Sequence, residues 1–190
     1  MGLFVLSDLQ KLARENSLQG IFFTKSAETV LNESIEKQAS VKKFDIFLSH
    51  AFADAEIVLG IKLKLESYGK SVYVDWVDDP QLNRSEVNVA TAKHIKERMH
   101  YCSALFYATT ESSFVSKWMP WETGYFDGIK NKVAILPVTE EQTLTYKGQE
   151  YLGLYPYAVE GHTELNPDDD LLIVYTKDKS AYYFEEWLKK

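Results

Sequence analysis

A length of 190 residues suits one domain, or one domain with a modest extension, and 45% hydrophobic with 26% charged residues is a globular composition that excludes a disordered chain. A net charge of -7 excludes a nonspecific nucleic-acid binder, which needs clustered Lys and Arg to displace counterions from phosphates. The single cysteine, Cys102, excludes an internal disulfide and a multi-cysteine zinc site and fits the reducing cytoplasm, where the chain is expected.

The N-terminus has a five-residue apolar run with no preceding positive charge, too short for a signal peptide, and no stretch reaches the ~20 apolar residues of a membrane span. Leu6 stands where N-myristoylation wants Ser or Thr. Residues 1–40 read as a helical extension. Ser7 with Gln10 matches a capping box ahead of Leu9, Leu12 and Ala13, and Gly20 is a stop; Ser26 then caps a second amphipathic stretch through Val30, Leu31 and Ile35. The polar run KQASVKK connects this extension to a domain over 42–190.

From residue 44 short apolar runs alternate with helical periods, the pattern of β-α units building a parallel sheet. FDIFLSH (44–50) is the first strand, and Asp54 is placed to cap a helix carrying Ile57, Val58, Ile61, Leu65 and Tyr68 before Gly69. SVYVDW (71–76) is the second strand, VDDPQLNRSE a loop, and 86–100 a weaker helix. SALFYATT (103–110) is the third strand; the run after it opens a helix that leads to KVAILPV (132–138), the fourth. Residues 139–167 are Tyr-rich and irregular, LLIVYT (171–176) is the fifth strand, and Ser180 is placed to cap a final helix to Lys190. The expected fold is a flavodoxin-like three-layer α/β sandwich on a central five-stranded parallel sheet, with ligands outside the carboxyl ends of the strands.

That fold directs attention to Ser49, His50 and Phe52 after the first strand and to Asp75, Trp76 and Asp78 after the second. After the third strand, Trp118, Glu122, Tyr125 and Ile129 share one helix face by spacing. Pro120 is tolerated only in a first turn, so the helix starts close by, with Ser116 as its cap and Glu122 near the positive end of the dipole. A carboxylate beside indole and phenol rings can bond ribose hydroxyls and stabilise the oxocarbenium-like centre of N-glycosidic cleavage. The same spacing also fits a solvated first-turn carboxylate and core aromatics, and spacing alone leaves both readings open.

Taken in order, FDIFLSHAFAD, VYVDW, the DDP loop, SALFYATTESSFVSKWMPWE and KVAILPV resemble a Toll/interleukin-1 receptor (TIR) domain of the stand-alone prokaryotic kind over residues 42–190. The resemblance implies either a signalling scaffold or an enzyme that cleaves NAD+ at the nicotinamide-ribose bond, giving ADP-ribose or a cyclic isomer as a signal in Thoeris-like antiphage defence. Trp118 and Glu122 match the W-x-x-x-E pattern of the enzymatic branch, which implies Glu122 as catalytic and Trp118, Ser49, His50, Phe52, Asp75 and Trp76 as substrate-binding. It also implies self-association through the 77–86 loop and a separate effector responding to the product. Arg84 and Lys117 read as surface residues that could otherwise meet the pyrophosphate, and Met119 and Pro120 depart from the small residues many members carry after the motif Trp. The alternatives are a noncatalytic scaffold and a nucleoside deoxyribosyltransferase-like enzyme.

No G-x-G-x-x-G or P-loop occurs, so NAD+ is expected as substrate and no cofactor is called for. The four histidines lack metal spacing, and the DDD run at 168–170 lacks the alternating ligands of a calcium loop. Gly124 and Gly128 read as close packing of helix on sheet. A phosphoacceptor receiver would need an acidic pair where Ser49 and His50 stand.

Overall fold

The computed structural model describes residues 2–19, 43–74, 88–147, 150–162 and 170–190. In chain order these form β1 (Phe4–Val5), α1 (Leu6–Gln19), β2 (Phe44–Ser49), α2 (Ala55–Ser67), β3 (Val72–Tyr73), α3 (Val89–His100), β4 (Cys102–Thr109), α4 (Trp118–Lys130), β5 (Val133–Thr139), β6 (Tyr157–His162), β7 (Asp170–Tyr175), β8 (Ala181–Tyr183) and α5 (Phe184–Leu188). Short 3-10 turns at Phe52–Asp54, Glu111–Val115 and Glu150–Leu154 link them. The second N-terminal helix expected from Ser26 and the 77–86 loop lie outside the described residues.

One sheet runs β3-β2-β4-β5-β6-β7-β8, with β1 paired to the end of β5. Side chains alternate along the central strands as a doubly covered sheet requires. In β4, Ala104, Phe106 and Ala108 join α1, α2 and α5 on one face, whereas Leu105 and Tyr107 join α3 and α4 on the other. Helices therefore cover both faces, giving the expected α/β sandwich. Because α2 returns on one face and α3 on the other, the strand order reverses beside β2, and the crevice at the carboxyl ends of β2 and β4 is where such a sheet binds ligands.

The sheet departs from the five parallel strands expected. Residues 157–162, within the stretch read as irregular, form β6, parallel to β5. The strand near 171–176 is β7 and runs antiparallel to β6, so the sheet is mixed. Ser180 caps no helix: its hydroxyl donates to Asp178 Oδ2 at 2.9 Å in a tight turn, and Ala181–Tyr183 pairs antiparallel with β7 before α5 begins. Only a chain reversal of that kind lets the last strand add at the edge without a crossover helix.

The N-terminal segment is part strand. Phe4 and Val5 pair in parallel with Val138 and Thr139, and Gly2 exchanges backbone hydrogen bonds with Glu160. α1 starts at Leu6, which puts Ser7 inside the first turn instead of at a cap. Leu9 and Ala13 bury against α2, where a Cβ on Gly60 would stand 2.2 Å from the carbonyl oxygen of Leu9. Glycine at 60 thus sets the approach of the two helices, and Arg14 Nε donates to Glu56 Oε1 at 2.7 Å across the same seam.

Candidate active site

The helix that carries Glu122 begins as its proline demands. Pro120 is the third residue of α4, in the turn whose N–H groups have no helical partner, and the Ser116 hydroxyl accepts from the Met119 N–H at 3.3 Å. At the far end Asn131 takes the left-handed conformation, φ 50°, and its N–H donates to Asp127. The buried face is Trp118, Met119, Glu122, Thr123 and Phe126.

That face corrects two sequence expectations. Ile129 is 37% exposed, so the Trp118–Glu122 stripe continues through Phe126 and not through Ile129. Gly124 and Gly128 meet nothing within 4 Å of an added Cβ and therefore do not mediate close packing on the sheet. Spacing of three and four residues identifies a face, but which of two adjacent rows turns inward is decided by the neighbours.

Glu122 is wholly buried, and its Oε2 accepts a hydrogen bond of 2.6 Å from Ser49 Oγ. Ser49 ends β2, in register with Tyr107 of β4, so the sheet fixes the donor while the helix fixes the acceptor. His50 follows, buried, with Nδ1 2.8 Å from the carbonyl of Leu48. A carbonyl only accepts, so the Nδ1 carries the proton in that contact. The backbone then turns at Phe52–Asp54. Asp54 occupies the N-cap position of α2 without a side-chain capping bond; its Oδ2 instead accepts from Thr110 Oγ1 at 2.5 Å, tying this turn to the end of β4.

Trp118 lies one helical turn before Glu122 and is 8% exposed. Its ring meets Trp121 edge to face at 5.4 Å, and Trp121 stacks on Tyr125 at 5.8 Å. The Lys96 ammonium sits over both Trp121 and Tyr125, 5.6 and 5.0 Å from the ring centres. Trp118 and Trp121, with Lys117 at the start of α4, form one wall of a 680 Å³ groove between α3 and α4 whose other side carries Lys93 and Lys96. Lys117, read as a surface residue, is exposed and lines this groove.

Tyr107 is a neutral wall nearby: burial first, then the Tyr151 phenol, pushes its hydroxyl far above the ordinary phenol range. Among the described residues no cluster of His, Cys, Asp or Glu has the arrangement to hold a metal ion, and no helix is long and apolar enough to cross a membrane.

Of the residues singled out in the sequence, Ser49 and Glu122 are in contact, His50 follows Ser49 in the chain, Trp118 stands one helical turn before Glu122, and the Phe52 backbone opens the next turn. Asp75, Trp76, Asp78 and Arg84 lie outside the described residues. Sequence reasoning overlooked Trp121 and Lys96. The available signal was Trp121 three residues after Trp118 and a lysine at 93 and 96 on the preceding helix, which places both lysines on one face.

No family model matches the chain. Over 193 residues, 100% of both chains, it is 44% identical to a Bacillus cereus (strain MSX-D12) protein named "Probable 3' cyclic ADP-D-ribose synthase ThsB'". Over 85 residues, 44% of this chain and 22% of the relative, it is 28% identical to TIR2 of Cytobacillus dafuensis, provisionally named a cyclic ADP-D-ribose synthase.

Proposed function

The chain belongs to the Toll/interleukin-1 receptor family of cyclic ADP-D-ribose synthases, and we propose that it acts on NAD+ through Glu122 to make the cyclic ADP-ribose signal of Thoeris antiphage defence. The observation that carries this reading is the buried Glu122 carboxylate held at 2.6 Å by Ser49 at the carboxyl end of β2, where the strand order reverses.

The chemistry follows from charge. Nicotinamide leaves when its bond to the ribose anomeric carbon breaks and the electron pair passes to the pyridinium nitrogen, which neutralises it. Positive charge then develops on the anomeric carbon and ring oxygen. A carboxylate in a water-poor site stabilises that centre more than water does and orients the ribose hydroxyls. Capture by a hydroxyl from the adenosine half of the same molecule closes the ring, whereas capture by water gives ADP-ribose; in either case the attacking oxygen loses a proton as its bond to the anomeric carbon forms.

In this reading Ser49, His50 and Phe52 border the nicotinamide ribose, Trp118 lines the pocket, and Asp75 and Trp76 border it from the second strand read in the sequence. The 77–86 loop packs on a second copy, and a separate effector reads the product. Support comes from Ser49 ending β2 with His50 directly after it and from Trp118 standing one turn before Glu122.

The test is nicotinamide release from NAD+, resolved by chromatography for the wild type and Glu122→Gln under conditions that promote assembly. Wild type is expected to release nicotinamide and a cyclic product, with release from the variant at least ~100-fold lower. Equal release from both sinks the role of Glu122. No release from the wild type in any condition, with assembly intact, supports a noncatalytic scaffold.

A further inference from the structure

The stretch after β5 carries tyrosines at 146, 151, 155 and 157 that the chemistry at Glu122 does not use. Its far end is pinned to the sheet: the Ile135 N–H donates to the Pro156 carbonyl at 2.8 Å, and Tyr157, in β6, stacks on Tyr175 of β7 at 5.6 Å. Before that anchor the Glu150–Leu154 turn buries Leu152 in the apolar cluster that holds Trp118, Met119 and Phe126 of α4.

Two of the tyrosines reach α4 from opposite ends. In the last turn of the helix, Asp127 Oδ2 accepts from the Tyr155 hydroxyl at 3.3 Å. Ahead of its first turn, the Tyr151 phenol shares a hydrogen bond with Tyr107, whose buried hydroxyl donates to the Ser113 carbonyl at 3.5 Å. That carbonyl has two lone pairs, and the second accepts from the Ser116 N–H at 3.3 Å. Ser116 is the residue whose hydroxyl caps α4 at Met119, so a relay of hydrogen bonds runs from Tyr151 to the start of the helix.

Tyr107 also stands beside Ser49. The two are register partners on adjacent parallel strands, and by the alternation of β2 and β4 both face α3 and α4. Burial and then the Asp127 carboxylate raise the Tyr155 phenol above its ordinary range, as burial does for Tyr107, so both hydroxyls remain donors at neutral pH. A helix tied at one end can still roll on a sheet. Tied at both, it holds a side chain between the ties to within the about 0.5 Å that a reacting group needs.

We infer that Tyr107, Tyr151 and Tyr155 are positioning residues for the reaction: through Ser113 and Asp127 they fix both ends of α4 and so keep Glu122 against Ser49. The inference rests on the proposed reaction at Glu122 and gives the Tyr-rich stretch its part in it.

The test sets Tyr107→Phe and Tyr155→Phe beside the wild type in nicotinamide release from NAD+, and repeats both in a Ser49→Ala background. Each phenylalanine keeps the ring and removes the hydrogen bond. kcat is expected to fall roughly three- to tenfold with KM little changed, and the loss is expected to shrink below about twofold once the Ser49 hydroxyl is gone, as coupled residues require. Asp127→Ala should match Tyr155→Phe, whereas Asp127→Asn, which keeps an acceptor oxygen, should retain the wild-type kcat. Tyr155 is only half-buried, so its variant decides should Tyr107→Phe unfold. Hydrogen exchange on the full chain reads the same ties without turnover: amides of residues 113–123 should exchange faster in both variants while those of β4 stay protected. An unchanged kcat in the folded variants while Glu122→Gln is inactive overturns the inference, whatever the melting temperature does, and so do fully additive losses with Ser49→Ala. Undiminished release by Glu122→Gln, or a silent wild type, counts against the reaction at Glu122 instead; exchange then decides whether the tyrosines hold α4, and unchanged exchange overturns it.

Discussion

Ser49 and Glu122 lie 73 positions apart in the chain and meet at 2.6 Å, both fully shielded from water. The hydrogen bond links the first central strand to the helix after the third, so the carboxylate is aimed by two elements that the sheet itself holds in register. A hydrogen bond to a charged group contributes about 1.5–3 kcal/mol. Ser49→Ala is therefore expected to lower kcat about tenfold or more while leaving KM for NAD+ little changed, because the carboxylate loses its orientation and the pocket keeps its walls. Steady-state kinetics beside a melting curve check this, and an unaltered kcat would remove Ser49 from the mechanism.

Gly60 marks the tightest contact between α1 and α2. A methyl group there would stand 2.2 Å from the Leu9 carbonyl, so Gly60→Ala forces the helices apart at a cost of about 1–3 kcal/mol, as overpacking does. The midpoint of chemical denaturation should fall, and limited proteolysis should cut the N-terminal helix sooner than in the wild type.

Gly124→Ala and Gly128→Ala should act in the opposite direction. Both positions are exposed within α4, with nothing near the added methyl. Replacing glycine by alanine in such a helix is expected to stabilise by about 0.4–1 kcal/mol each. A loss of stability in thermal melts would show that this face is packed in solution.

Asp178 organises the β7–β8 turn. It accepts from the Thr176 hydroxyl, the Ser180 N–H and the Ser180 hydroxyl, and these bonds, the Thr176 one first, hold its carboxyl below the ordinary carboxylate range. A depressed folded value means that its stabilisation is present above the unfolded pKa and is lost as pH falls through the folded one. Asp178→Asn should therefore melt lower than wild type at neutral pH, with the gap closing below the usual carboxylate range. A gap that stays constant down to low pH would mean that the ionised form is not what the turn uses.

Much of the central sheet was legible because strands covered on both faces are nearly continuous apolar runs, as in FDIFLS and CSALFYAT. β6 was not, since Glu160, Gly161 and His162 interrupt its apolar pattern and its place is set by backbone pairing with Gly2 and β7. β8 has the alternation of an edge strand, with exposed Ala181 and Tyr183 either side of Tyr182, and three residues are too few to stand out from a helix start. Within the site, the Trp118–Glu122 pattern identified the carboxylate, yet its full burial and its bond to Ser49 depend on how α4 is rotated against β2. That rotation follows from contacts with Met119 and Phe126 and is invisible in spacing alone.

The pairing of β1 with β5 also orders events during synthesis. Residues 2–5 leave the ribosome well before their partners, Val138, Thr139 and Glu160, which come more than a hundred residues later. This segment therefore waits unpaired until those partners are made, and closing so long a loop late is slow. Arrest of translation before residue 160 should leave α1 and its flanking strand exposed to chaperones even when β2 and β4 have already formed, and a bulky fusion joined directly at Gly2 would burden that last step.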